Sequence, residues 1–220
     1  MVLWGGYIKP NVSLSIDTNN IHYNLNANGH DYVDLDLPSG TLWATCNVGA
    51  NKPSDAGLYF QWGDTKGYTK DQVGIGEDQK AFTWADYKYS IKGTSTFFTK
   101  YEKKYEVLEI EDDAAHINMG GDWHMPTPDQ INELIDNTTS EWMEQDGVKG
   151  KLFTSKKDAS KSIFIPAAGV ASNVSVYNNG KIGYIWSSML SDKYSTYGMS
   201  LGFFVSRVRY LGMPVRGVIG

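Results

Sequence analysis

The chain has 220 residues, 41% hydrophobic and 20% charged, with 23 Gly, 14 Tyr and 7 Trp; this length buries a sizeable core, and the composition excludes disorder and suits a turn-rich β or α+β fold better than a helical bundle. The formal charge is -5, yet residues 170–220 hold Lys181, Lys193, Arg207, Arg209 and Arg216 against Asp192 alone, a segment of +4, while the remainder has 15 basic and 24 acidic residues, or -9. Four net charges without a Lys/Arg run exclude nucleic acid as a partner, and a single cysteine, Cys46, excludes an intrachain disulfide and a thiolate zinc site.

In residues 1–30 the alternation Val12, Leu14, Ile16 and then Ile21, Tyr23, Leu25 around DTNN predicts a hairpin. It reads equally well as a separate N-terminal β arm or attachment segment, through which the chain would form a homo-oligomer, or as an extra edge hairpin of the main domain. The start lacks a basic stretch followed by a long apolar run, and eighteen apolar residues never occur in succession. No secretion signal and no membrane insertion are expected.

Next, DYVDLDLPSGTLWATCNVG alternates Val33, Leu35 and Leu37, turns at Pro-Ser-Gly and predicts a second strand through Leu42, Ala44 and Cys46. A calcium loop starting at Asp34 fails, because its twelfth position is Thr45 where a bidentate Glu is needed. From Lys66 to Lys104 the chain is polar and irregular with scattered aromatics, which reads as a long structured insertion. The acidic run Glu109, Glu111, Asp112, Asp113 precedes a short helix in EDDAAHINM, whose first turn Asp112 and Asp113 would favour through the helix dipole. His116 and His124 flank a Gly-Gly turn and lack a second pair of ligands, so they read as hydrogen-bonding side chains rather than a metal site. The clearest helix lies in MPTPDQINELIDNTT, with Thr127 as cap, Pro128 at the first position, Asp129 in the first turn, and Ile131, Leu134 and Ile135 on one face.

After Gly150, KLFTS, SIFIPAAG, GYIWSS, YGMSLGFF and PVRGVI read as short strands. No nucleophile elbow, phosphate loop, dinucleotide fingerprint or zinc-protease helix occurs, and Cys46 has no base nearby in the sequence. The chain therefore reads as a non-enzyme without cofactor or metal. Beyond Gly169 the vocabulary turns to Tyr, Ser, Gly, Asn and Arg. Tyr supplies rigid contact area and Ser, Gly and Asn adaptable hydrogen bonds, the chemistry of a binding surface; ordinary half-buried strands would use some of the same residues.

The blocks DYVDLDLPSGTLWATCNVGANKPSDAGLYFQWGDT, FTWADYKY, DDAAHINMGGDWHMPT with ELID, SIFIPAAG and GYIWSS occur in order. They end in Arg209, Gly212, Val215, Arg216 and Val218. Over about residues 31–219 this order closely resembles the major paralogous domain family first named from Fibrobacter succinogenes and abundant in Bacteroidetes.

That family is similar to the C-type lectin fold, in the variant shared with formylglycine-generating enzymes and with the variable proteins of diversity-generating retroelements, such as the major tropism determinant of a phage tail. The resemblance implies an α+β C-type-lectin-like domain over 31–220 behind a short N-terminal β arm over 1–30, with a variable region at about 170–220. It implies a non-catalytic receptor-recognition protein, exposed on a phage virion or bacterial cell surface and binding a protein or glycan ligand there. A generic adhesin-like surface module without diversification is the alternative.

Gly183, Trp186, Ser187, Ser188, Leu201, Phe203, Arg209, Gly212, Val215 and Arg216 match the family's framework. The candidate contacts lie between them: Val174, Ser175, Tyr177, Ile182, Tyr184, Met189, Leu190, Lys193, Tyr194, Tyr197, Phe204, Arg207, Tyr210, Leu211 and Met213. The stretch from Phe204 to Arg209 is shorter than the family's spacing. The expected core comprises Trp43, Trp62, Trp123, Phe164, Trp186 and Phe203. The thiol oxidation known in this fold group needs a cysteine pair that Cys46 alone cannot supply, and the signatures of calcium-type lectins are absent.

Overall fold

A computed structural model describes residues 25–192, 195–200 and 203–220, with the backbone alone at 195–200 and 203–204. The architecture is mixed and sheet-rich, with two short α-helices among the described residues. One antiparallel sheet has the order β1-β2-β3-β12, formed by β1 (Leu25–Ala27), β2 (His30–Asp34), β3 (Leu42–Asn47) and β12 (Arg216–Ile219). β1 and β2 join through Asn28 and Gly29, both at positive φ, the two-residue turn whose twist matches a hairpin. Among the described residues the sheet begins at Leu25; the hairpin expected around residues 17–20 lies outside the described residues.

Both faces of this sheet are covered, so its pattern departs from simple alternation. The cross-strand pair Tyr32 and Ala44 packs into the main core with Trp62, Trp123 and Trp186. On the other face, the row Val33, Trp43 and Val218 packs with Leu35, Leu37, Ile131 and Leu134. The latter two belong to α2 (Pro128–Asn137), where the Thr127 hydroxyl accepts from Gln130 N and the Gln130 side chain accepts from Thr127 N. The shorter helix α1 (Ala114–Met119) starts at Asp113, whose carboxylate accepts from His116 N at 2.9 Å and Met125 N at 2.8 Å. This cap ties the start of the helix to the chain beyond the Gly120–Gly121 turn. There His116 Nδ1 lies 3.2 Å from Trp123 O, and His124 Nδ1 3.0 Å from Met125 O.

A second sheet contains β4 (Thr138–Gln145), β5 (Val148–Ser155) and β6 (Ser162–Pro166), with β4 at its edge. β7 (Val170–Ser172) and β8 (Ser175–Tyr177) form a small hairpin. Gly169 precedes it at φ +72, where an added Cβ would lie 2.2 Å from Tyr177 O. The stretch read as one strand, YGMSLGFF, is divided between β10 (Ser195–Ser200) and β11 (Phe203–Val208), which pair with each other and, through β10, with β9 (Tyr184–Leu190).

Residues 66–104 hold two three-residue 3₁₀ turns, Lys70–Gln72 and Ile91–Gly93, and isolated bridges. Most of their scattered aromatics point inward: Phe82, Tyr87, Tyr89, Phe98 and Tyr101 are buried and Tyr68 and Trp84 half-buried, while Phe97 is exposed. Trp43, Trp62, Trp123, Phe164 and Trp186 are all buried as expected for the core, while the side chain of Phe203 lies outside the described atoms.

Candidate ligand-binding surface

β9 organises the C-terminal region. Its central indole is fully buried: Trp186 Nε1 donates to Phe60 O and Trp62 Nε1 donates to Ser187 O, each at 2.8 Å. Two of the three tryptophans of the main core thereby satisfy their polar atoms on each other's backbone segments. Gly198 of β10 stands opposite both Trp186 and Val205, next to a register shift. Residues 105–108 run along the end of β9, with Tyr105 N donating to Leu190 O at 3.0 Å, Leu190 N to Glu106 O at 2.9 Å and Leu108 N to Ser188 O at 2.8 Å.

Two arginines of the segment are internal. Arg216 donates from Nε to Asn47 Oδ1 at 2.9 Å, and from its two terminal nitrogens to Ala44 O and Phe164 O, each at 3.0 Å. It thereby ties β12, β3 and β6 together. Burial lowers its pKa to about 10. Arg209 donates to Tyr101 O at 2.6 Å, and its guanidinium lies 3.6 Å from the Phe98 ring centroid; Nε and Nη2 have no hydrogen-bond partner among the described residues. Of the four cations described in residues 170–220, Arg209 and Arg216 are buried while Lys181 and Arg207 keep surface exposure, so half of the described positive charge lies in the interior.

The candidate contacts divide by burial. Val174, Ser175 and Tyr177 are exposed on the β7–β8 hairpin; Ile182, Met189, Arg207, Tyr210 and Leu211 are half-buried. Tyr184, Leu190 and Met213 are corrections, at 6%, 0% and 0% exposure. The hydroxyl of Tyr184 accepts from Arg207 Nη2 at 3.1 Å beneath a guanidinium 4.9 Å from its ring. Leu190 is flanked by the 105–106 backbone, and Met213 exchanges backbone hydrogen bonds of 3.0 Å with Phe60, which draws its side chain into the core. Lys193 and Tyr194 lie outside the described residues, as do framework residue Leu201 and the side chains of Tyr197 and Phe204. Framework residues Gly183, Ser187, Ser188, Gly212 and Val215 are buried. An added Cβ at Gly212 would lie 2.3 Å from the Phe82 ring.

The sequence reading missed the flank supplied by residues 105–110. Tyr105, Val107 and Ile110 are exposed, and Val107 forms a bridge with Met189. The alternation Lys104, Tyr105, Glu106, Val107 was the available signal, cut short by Leu108 and masked by the irregular residues before it. This flank is fixed by Asp112, whose carboxylate meets Lys88 Nζ at 2.9 Å, Lys100 Nζ at 2.6 Å and the Tyr101 hydroxyl at 2.7 Å. Burial alone would raise the pKa of Asp112; the hydrogen bonds, led by that of Lys100, outweigh it and hold the carboxyl well below its ordinary range. Asp112 therefore anchors the insertion rather than merely favouring the α1 dipole. Among the described residues no three His, Cys, Asp or Glu side chains converge as metal ligands, and no helix is long and apolar enough to cross a membrane.

Comparisons with protein-family models, curated proteins and solved structures return no match for this chain.

Proposed function

We propose that the chain is a non-catalytic recognition protein with a C-type-lectin-like fold, related to the variable proteins of diversity-generating retroelements, and that it displays its C-terminal region to a protein or glycan ligand outside the cell. The observation that carries this reading is a division within one segment: Trp186, Arg209, Val215 and Arg216 are fully buried while Val174, Tyr177, Arg207, Tyr210 and Leu211 among them reach the surface. A scaffold that holds its fold through one set and presents the other can vary the second set at small cost in stability. Arg and Tyr are also the side chains that dominate binding energy when they anchor an interface.

The deciding experiment is sequencing of the gene's neighbourhood together with repeated sampling of the gene. A reverse-transcriptase gene and an imperfect template repeat are expected, with mismatches at template adenines falling on codons for Tyr177, Arg207 and Tyr210 and sparing Trp186, Arg209 and Arg216. A repeat whose mismatches fall on the framework codons, or no repeat, overturns the diversified version and leaves the adhesin-like surface module. In either form the protein acts on a virion or bacterial surface, which immunogold labelling of intact particles and cells would locate.

A further inference from the structure

We propose that the face of the β4–β5 hairpin beside residues 180–181 binds a carboxylated saccharide, at a site separate from the β9–β11 surface. The backbone brings its parts together: Ala167 N donates to Lys149 O at 2.8 Å and Gly180 N donates to Ala167 O at 2.7 Å. The start of β5, Ala167 and the turn after β8 consequently lie side by side. Within the hairpin, Trp142 stands opposite Lys151 and Glu144 opposite Lys149, all on one face. Between them is an open groove of about 490 Å³, lined by Trp142, Met143, Glu144, Lys149, Gly180 and Lys181. That volume suits a small-molecule or single-saccharide site.

Three features of the groove point to one chemistry. Trp142 is 52% exposed in mid-strand and has no ring partner among the described residues, whereas Trp43, Trp62, Trp123 and Trp186 are fully buried. An indole left in water offers a flat apolar face with a polar edge. Lys149 and Lys181 make no ion pair among the described residues, and Lys151 lies beside them with Nζ 3.5 Å from Ser140 Oγ. The Lys149 and Lys181 ammonium groups outnumber the Glu144 carboxylate in the groove lining and leave it positive on a chain of net charge -5. A pyranose covers an aromatic plane with its C–H face, and its carboxylate answers the lysines. An acidic peptide would supply the carboxylates without the flat apolar face.

Isothermal titration calorimetry would measure binding of tetragalacturonate, a hyaluronan tetrasaccharide and sialyllactose, with cellotetraose and a hexaglutamate peptide as controls. At least one acidic saccharide should bind, more weakly as salt rises, and cellotetraose should bind at least about tenfold less well. Trp142→Ala and the Lys149→Gln/Lys181→Gln pair should each lower affinity at least about tenfold, with melting temperatures unchanged. Failure of all three acidic saccharides, equal binding of cellotetraose, binding of hexaglutamate alone, or insensitivity to Trp142→Ala overturns the proposal. So does a self-associated protein that Trp142→Ala makes monomeric without any saccharide binding. Since the groove shares no residue with the Tyr177, Arg207 and Tyr210 set, its failure leaves the recognition surface standing.

Discussion

Arg216 and Tyr184 illustrate how the same segment contains residues of opposite consequence. Arg216 is an internal cation satisfied by three neutral oxygens, none of them a carboxylate. Arg216→Ala leaves those acceptors without their donors and opens a cavity, which should destabilise the fold by more than about 3 kcal/mol; urea denaturation followed by fluorescence would measure it. Arg216→Lys cannot reproduce a planar three-point donor and should recover only part of that loss. For tyrosines the contrast is burial: Tyr184→Ser should cost about 3 kcal/mol, whereas Tyr177→Ser, exposed at 50%, should stay within about 0.5 kcal/mol. Equal losses in the two variants would refute the assignment of Tyr184 to the core. Trp43, Trp62, Trp123 and Trp186 were legible as core from size and apolarity alone. Tyr184, Leu190 and Met213 were not, because their burial depends on partners at Arg207, Glu106 and Phe60, which are remote in sequence.

Elements were legible in proportion to how much local chemistry defines them. α2 carries its start in Thr127, Pro128 and Asp129, and the structure uses all three, adding the Gln130 side chain as the second half of a capping box. β4 was invisible to hydrophobic alternation, because an edge strand exposed along Thr139–Trp142 has no buried face to record; the Asp146–Gly147 turn, both residues at positive φ, was its readable trace. The insertion has no regular pattern and depends on Asp112 for its attachment. With a folded-state pKa below the ordinary 3.8, Asp112 contributes stability that is present above 3.8 and lost as pH falls toward its depressed value. Asp112→Asn should therefore destabilise the fold at pH 7 by more than about 1 kcal/mol after allowing for the partly exposed lysines, and its difference from the parent protein should shrink below pH 3.8. Asp113, raised by burial, acts with the opposite sign but is present in both proteins and cancels in the comparison. Calorimetry across pH 3 to 7 would decide; a gap independent of pH would remove the electrostatic account.

At the scale of the molecule, the strand order β1-β2-β3-β12 sets the fold's dependence on its last described strand. β12 pairs with β3 on one side, and Val218 exchanges backbone hydrogen bonds with His124 on the other, at 2.9 and 3.0 Å. Val218 also fills the cluster formed by Trp43 and α2. Deleting residues 216–219 should leave the chain without fixed tertiary packing, seen as loss of near-ultraviolet circular dichroism and of amide dispersion in nuclear magnetic resonance spectra. A native-like spectrum would contradict that dependence. Sequence order did not reveal this closure, since a strand's partner is chosen by the face it buries and not by its neighbours along the chain.

The same pairing has a consequence for synthesis. As the polypeptide leaves the ribosome, β3 emerges early and must wait, one edge bare, until Arg216–Ile219 has been translated in the correct reading frame. A missense change at an exposed codon passes this checkpoint. An inserted or deleted base upstream replaces β12 with unrelated residues, and the product fails to close and is left to the cell's proteases.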